Sequence, residues 1–309
     1  MFKPTIIVAI AVACIMLTMV LMPVIEDAEH GPAALDVIII DGQSNAEYST
    51  SAARVNPAKI DLPIPDHRLL YYGTETAANY LYGNVPSTGI YEMNRDGYWV
   101  IGGIEATLAY YYSQRSDHDV LTINVAVGAQ SITKLAPEGT YWEKGAACIS
   151  EALSMISGYS RINMVGWIMM QGEADKNMAI DTYKEHFMDL SEYFDSIGAS
   201  QCYIVKTREY YGGNATIAQS ELVEEYDNIH MATTITDTFT EANGMLVSGD
   251  PIHYSQLGRN AVGQALGEYI EVYELPGNEI LSSIPVIIAV GIVIAVIAAI
   301  GLTMARREY

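Results

Sequence analysis

The chain has 309 residues, with 37 acidic side chains against 16 basic ones and a formal net charge of −21. So acidic a surface repels nucleic acid and anionic membranes, which argues against polyanions as main partners and favours a neutral or locally compensated substrate. Three cysteines, Cys14, Cys148 and Cys202, are too few for a disulfide framework and show no zinc-ligand spacing, though Cys148 and Cys202 would be able to pair once if they meet in space.

Both ends are apolar. From Thr5 to Val24 almost every residue is apolar, with Lys3 before and Glu26 and Asp27 after. That length crosses the hydrocarbon core of a bilayer, so residues 1–25 read either as a signal anchor or as a cleaved signal peptide. A second apolar run, 284–304, is followed by a short tail, 305–309, that carries Arg306 and Arg307. Basic flanks stay on the cytoplasmic side, so the expectation is a membrane partner contacted through terminal helices, with the acidic domain, 30–275, held outside the cell by a linker, 276–283. On an external domain Asn214-Ala-Thr216 reads as a glycosylation acceptor.

The middle domain opens with Asp36-Val-Ile-Ile-Ile-Asp-Gly-Gln-Ser-Asn45, an apolar run stopped by a glycine and then a serine. Such a run reads as a buried strand that ends in a tight turn. Pro57, Pro63 and Pro65 mark a loop, and Arg68 to Tyr72 is a second strand. Residues 73–102, rich in Gly, Asn, Tyr and Thr, read as a long loop region whose tyrosines either stack on a substrate ring or form an ordinary surface excursion. Helices follow over 104–114, 142–156, 180–194 and 256–271, and strands over 120–127, 164–170 and 202–205. Strands alternating with helices imply a parallel sheet covered on both faces. Three strand ends carry a glycine beside polar side chains, at positions 42, 128 and 172, and open α/β sheets keep their chemistry at that edge.

Those ends hold the parts that acyl transfer from a serine requires. Ser44 needs a base, and His253 in Asp250-Pro-Ile-His253 is suited to take its proton while Asp250 fixes the tautomer. The backbone N–H groups of Ser44 and Gly128 and the side-chain amide of Gln171 are the expected oxyanion donors. Glu173 has three readings: it orients His253 in place of Asp250, it buttresses Gln171, or it caps the next helix.

Four segments, Gly42-Gln-Ser-Asn45, Val127-Gly-Ala-Gln-Ser131, Gln171-Gly-Glu-Ala-Asp175 and Asp250-Pro-Ile-His253 followed by Gly258, stand in an order that resembles the SGNH hydrolases. Within them the chain is similar to the sialate O-acetylesterases and the acetylxylan esterases of carbohydrate esterase family 6. The resemblance implies a flavodoxin-like three-layer α/β/α fold with about five parallel strands. It also implies removal of acetyl groups from sugars with no metal or other cofactor. By that match Ser44 is the nucleophile, His253 the base and Asp250 its partner. Ser44, Gly128 and Gln171 form the oxyanion hole, with Gln43, Asn45 and Glu173 in support. Asp41 stands where an apolar residue is usual, Ala46 where Met is common, Ala129-Gln130 where Gly-Thr is common, and Ala174 where Ser is common. The expectation is a serine esterase acting on acetylated glycans at the cell surface. The alternatives are a non-catalytic module that binds acylated glycans, and an SGNH esterase for lipids or thioesters.

Overall fold

The computed structural model describes residues 34–48, 54–65, 68–73 and 87–272. Both predicted membrane segments lie outside them, as do Cys14 and the tyrosines between positions 74 and 86. Among the described residues no helix is long and apolar enough to cross a membrane.

The described residues form nine strands: β1 Leu35–Gly42, β2 Leu69–Gly73, β3 Gly89–Glu92, β4 Asn94–Arg95, β5 Tyr98–Trp99, β6 Asp119–Asn124, β7 Ile162–Met170, β8 Cys202–Val205 and β9 Ile229–Thr233. Seven of them form one sheet in the order β3-β2-β6-β1-β7-β8-β9, and β4 and β5 form a separate ribbon. All neighbours in the main sheet run parallel except β3, which is antiparallel to β2. The longer helices are α1 Glu105–Ser113, α2 Trp142–Met155, α3 Ile180–Ser196, α4 Asn214–Glu225 and α5 Gln256–Tyr269.

Position in the sheet explains why β1 is a continuous apolar run. It lies between β6 and β7 and every residue is buried, because a central parallel strand faces helices on both sides. Leu35, Val37 and Ile39 enter one core with α2, α3 and α4. Ile38 and Ile40 enter the other with α1 and α5. On α3 the buried residues Tyr183, Phe187, Leu190 and Phe194 recur at helical spacing, and Trp167 of β7 stacks on Phe194 with centroids 4.4 Å apart. Across the sheet, α5 lies so close to α1 that a Cβ on Gly263 would overlap the Ile104 carbonyl and one on Gly267 would come within 2.7 Å of the Leu108 carbonyl.

The mostly parallel α/β architecture is the expected class, but its connectivity differs. The parallel strands lie in the order second, third, first, fourth, fifth, sixth, whereas a flavodoxin-like sheet runs 2-1-3-4-5. Here β6 inserts between β1 and β2, and β9 adds a sixth parallel strand. The expected loop over 73–102 contains β3 and the β4–β5 ribbon. Its described tyrosines serve packing or solvent: Tyr91 lies against Tyr71, and Tyr98 is 75% exposed.

Two further expectations change. Cys148 and Cys202 are free and buried, in α2 and β8, and do not pair. Asn214 is the first residue of α4 and its side-chain amide donates to the Met178 carbonyl at 2.9 Å, while Thr216 is buried. A glycan there would disturb that hydrogen bond, so the sequon is not presented as an acceptor.

Candidate active site

The carboxyl end of β1 positions the serine. Gly42 has φ +142°, and a Cβ there would overlap the Met170 carbonyl oxygen, so only glycine lets the chain turn this close to β7. The Gln43 N–H donates to that same carbonyl at 3.0 Å, which ties the turn to β7 as it leaves the sheet. Gln43, Ser44 and Asn45 are all buried.

Two charged groups clamp this turn. The Glu173 carboxylate accepts from Gln43 Nε2 at 2.6 Å and from Asn45 Nδ2 at 2.9 Å. Burial raises its pKa. Arg259, from the first turn of α5, donates through Nη2 to the Ser44 carbonyl at 2.8 Å, and through Nη1 to the carbonyls of Asn45 at 2.7 Å and Glu47 at 3.0 Å. This guanidinium is fully buried, and burial lowers its pKa to about 10, so it remains charged at neutral pH. Three carbonyls of a buried turn are thereby satisfied by one side chain.

The second partner arrives on the loop before α5. His253 Nε2 lies 2.9 Å from Ser44 Oγ, and His253 Nδ1 lies 2.6 Å from Asp250 Oδ2. Because Asp250 can only accept, Nδ1 carries the proton and Nε2 is left to accept from Ser44. Burial opposes the charge on Asp250, but the His253 ring and the N–H groups of His253 and Ile252 outweigh it and hold the carboxyl below its usual range. Asn45 joins this loop to the serine turn, donating to the Ile252 carbonyl at 3.2 Å and accepting from the Tyr254 N–H at 3.0 Å.

Ser44, His253, Gly128 and Gln130 border one cleft of about 390 Å³, together with Glu47, Arg54, Val127, Ala129 and Tyr141. Ala129 holds φ +59°, the left-handed conformation that glycine adopts without strain, which accounts physically for the glycine common at this position in the resembling family. Arg54 Nη2 lies 3.2 Å from His253 Nδ1. Among the described residues no group of three His, Cys, Asp or Glu side chains is arranged to hold a metal ion.

Ser44, His253, Asp250 and Gly128 thus meet, and Glu173 stands in support beside Gln43 and Asn45, whereas Gln171 does not reach the cleft. Gln171 is fully buried, and its amide nitrogen faces Asp175 Oδ2 and the Gln130 carbonyl rather than the cleft, so it supports the wall instead of offering a third donor. Glu173 neither reaches His253 nor bonds Gln171; it fastens the serine turn through Gln43 and Asn45. Arg259, Arg54, Glu47 and Tyr141 were not anticipated. For Arg259 a signal existed: it stands on the helical stripe that continues through Val262 and Leu266, where a charge is out of place unless it has buried partners.

Residues 34–271 match the family model described as carbohydrate esterase, sialic acid-specific acetylesterase. No curated protein matches the sequence. Among solved structures, NanS superposes with a TM-score of 0.52 at 16% identity, over 78% of this chain and 97% of its own. A protein of Arabidopsis thaliana gives 0.52 at 14% identity, over 77% and 97%. At such identities these structures speak for the fold, and the family model speaks for the chemistry. The match spans the whole sheet and both halves of the serine–histidine pair, and the chain therefore belongs to the sialic acid-specific acetylesterase family of carbohydrate esterases, as a serine hydrolase.

Proposed function

We propose that the chain removes O-acetyl groups from a glycan by acyl transfer through Ser44, acting outside the cell, with acetylated sialic acid as substrate. The observation that carries the mechanism is the continuous chain Asp250 Oδ2, His253, Ser44 Oγ, with contacts of 2.6 and 2.9 Å. His253 Nε2 takes the Ser44 proton as Oγ attacks the acetyl carbonyl. Negative charge then develops on the carbonyl oxygen, and the backbone N–H groups of Ser44 and Gly128, two residues that line the cleft, are the donors assigned to it. His253 returns the proton to the departing sugar oxygen, leaving acetyl-Ser44. Water enters, gives its proton to His253 and attacks the acyl carbon; acetate leaves and Ser44 recovers its proton. Asp250 keeps the imidazole oriented and stabilises the imidazolium in both halves.

The family match supports the sugar ester as substrate class, and the terminal apolar segments with their basic flanks support the external, membrane-tethered location. Hydrolysis of p-nitrophenyl acetate by the full chain tests the chemistry: Ser44→Ala is expected to lose about 10³-fold or more, and equal rates would remove Ser44 from the reaction. Acetate release from O-acetylated sialic acid against acetylated xylan tests the substrate, with preference for xylan overturning the sialate assignment.

A further inference from the structure

Glu47 lies three residues beyond the serine and lines the same cleft. Its carboxylate lies against Gly128, where an added Cβ would overlap its Oε2, and the Gly128 N–H favours its charge. Burial disfavours the charge on Glu47; the Gly128 N–H, Arg259 and Arg54 favour it. The charged groups around this carboxylate are Arg259 beneath the turn, and Arg54 and the His253–Asp250 pair along the same cleft.

The Gly128 N–H is the donor assigned above to the oxyanion. A single N–H cannot serve a carboxylate and a developing oxyanion at full strength, and two negative groups cannot share one small site without repulsion. We propose that Glu47 is a gate on the oxyanion hole: its carboxylate holds the Gly128 donor in the unliganded chain and swings toward Arg54 when an ester carbonyl takes its place. This rests on the reading of Ser44 as the nucleophile. Arg54 suits the receiving role because it lines the cleft with Glu47 and its charge already favours that of the carboxylate. The gate makes Glu47 a specificity-determining residue. A substrate must bind well enough through its sugar to displace a charge-assisted hydrogen bond, so small neutral esters with little else to grip are turned over slowly.

The test compares the native full chain with Glu47→Gln and Glu47→Ala, using p-nitrophenyl acetate turnover and the rate at which a neutral phosphonate ester labels Ser44, read by mass. Both rates are expected to rise by about tenfold, the scale of one charge-assisted hydrogen bond no longer to be displaced. A thermal melt identifies which variants are folded, and the Gln variant keeps the shape if Ala does not. Folded variants with labelling and turnover equal to or below native would overturn the gate, since a residue that merely supports the fold cannot accelerate the reaction when removed. Labelling does not require an acetyl substrate: faster labelling of the variants without turnover by any of the three chains would fault the esterase reading and leave the gate standing.

Discussion

The serine turn and the histidine loop meet at a 2.9 Å contact but are held in opposite ways. Side chains from β7's following turn and from α5, Glu173 and Arg259, clamp the turn from beneath, and the turn is buried. The histidine loop lies on the rim, its Asp250 side chain 31% exposed, and much of its order is local: Asp250 binds the ring and backbone of His253 three residues on. The nucleophile is therefore a product of the whole fold, whereas the base is oriented largely by its own loop. Damage to the first region registers in stability and activity together; damage to the second registers in activity alone.

Asp250→Asn tests the second half of that contrast most severely. It keeps the shape but offers an amide where His253 Nδ1–H needs an acceptor, and kcat is expected to fall by about 10⁴-fold with Tm little changed. A fall in Tm as large as that of a core variant would erase the distinction between the regions.

The strand feeding the serine turn gives the next effect. Asp41 is buried, burial pushes its pKa up to about 7, and the Gly42 N–H at 2.7 Å only partly offsets this. From the ordinary carboxyl value up to about 7 the folded chain keeps a proton that the unfolded chain has released. Raising pH through that window therefore favours unfolding, by up to about 1.4 kcal/mol per pH unit from this group, and the loss levels off above it. Denaturant melts at pH 5 and pH 7 should show Asp41→Asn with a shallower decline than the native chain; parallel declines would assign the slope to other groups.

The smallest effect is expected at the clamp itself. Glu173→Gln replaces one of two acceptor oxygens by a donor, so the amide of Gln43 or Asn45 loses its partner, at a cost of about 1–3 kcal/mol in stability. Activity should fall with it. Stability unchanged beside lost activity would place Glu173 in the chemistry rather than under the turn.

Much of this was legible in sequence because the informative signals were local. The strands β1, β6, β7 and β8 are apolar runs closed by polar clusters, and the triad lies within short motifs. What escaped lacked such a pattern. β9, Ile-His-Met-Ala-Thr, mixes polar and apolar residues because it lies at the sheet edge, and α4 begins directly after Gly212 and Gly213 with only weak amphipathicity. The insertion of β6 between β1 and β2 is a matter of long-range pairing that no stretch of sequence announces. Glu47 and Arg54 are single charges whose meaning arises only when β1, β6 and the histidine loop converge. For Glu173 the sequence leaves several readings open, since one carboxylate near three strand ends has several geometrically reasonable partners until the fold chooses, here Gln43 and Asn45.

Arg259, Gly263 and Gly267 are four residues apart on α5 and so share one stripe of the helix. The two glycines seat that helix directly on the backbone of α1, at Ile104 and Leu108, and the arginine protrudes from the same helix into the serine turn. The depth to which the guanidinium reaches is thus fixed by how closely two helices touch one and two turns away. A methyl group at either glycine would act as a shim, withdrawing the arginine from carbonyls it never contacts itself, so the serine's placement is levered from a seam that faces neither substrate nor solvent.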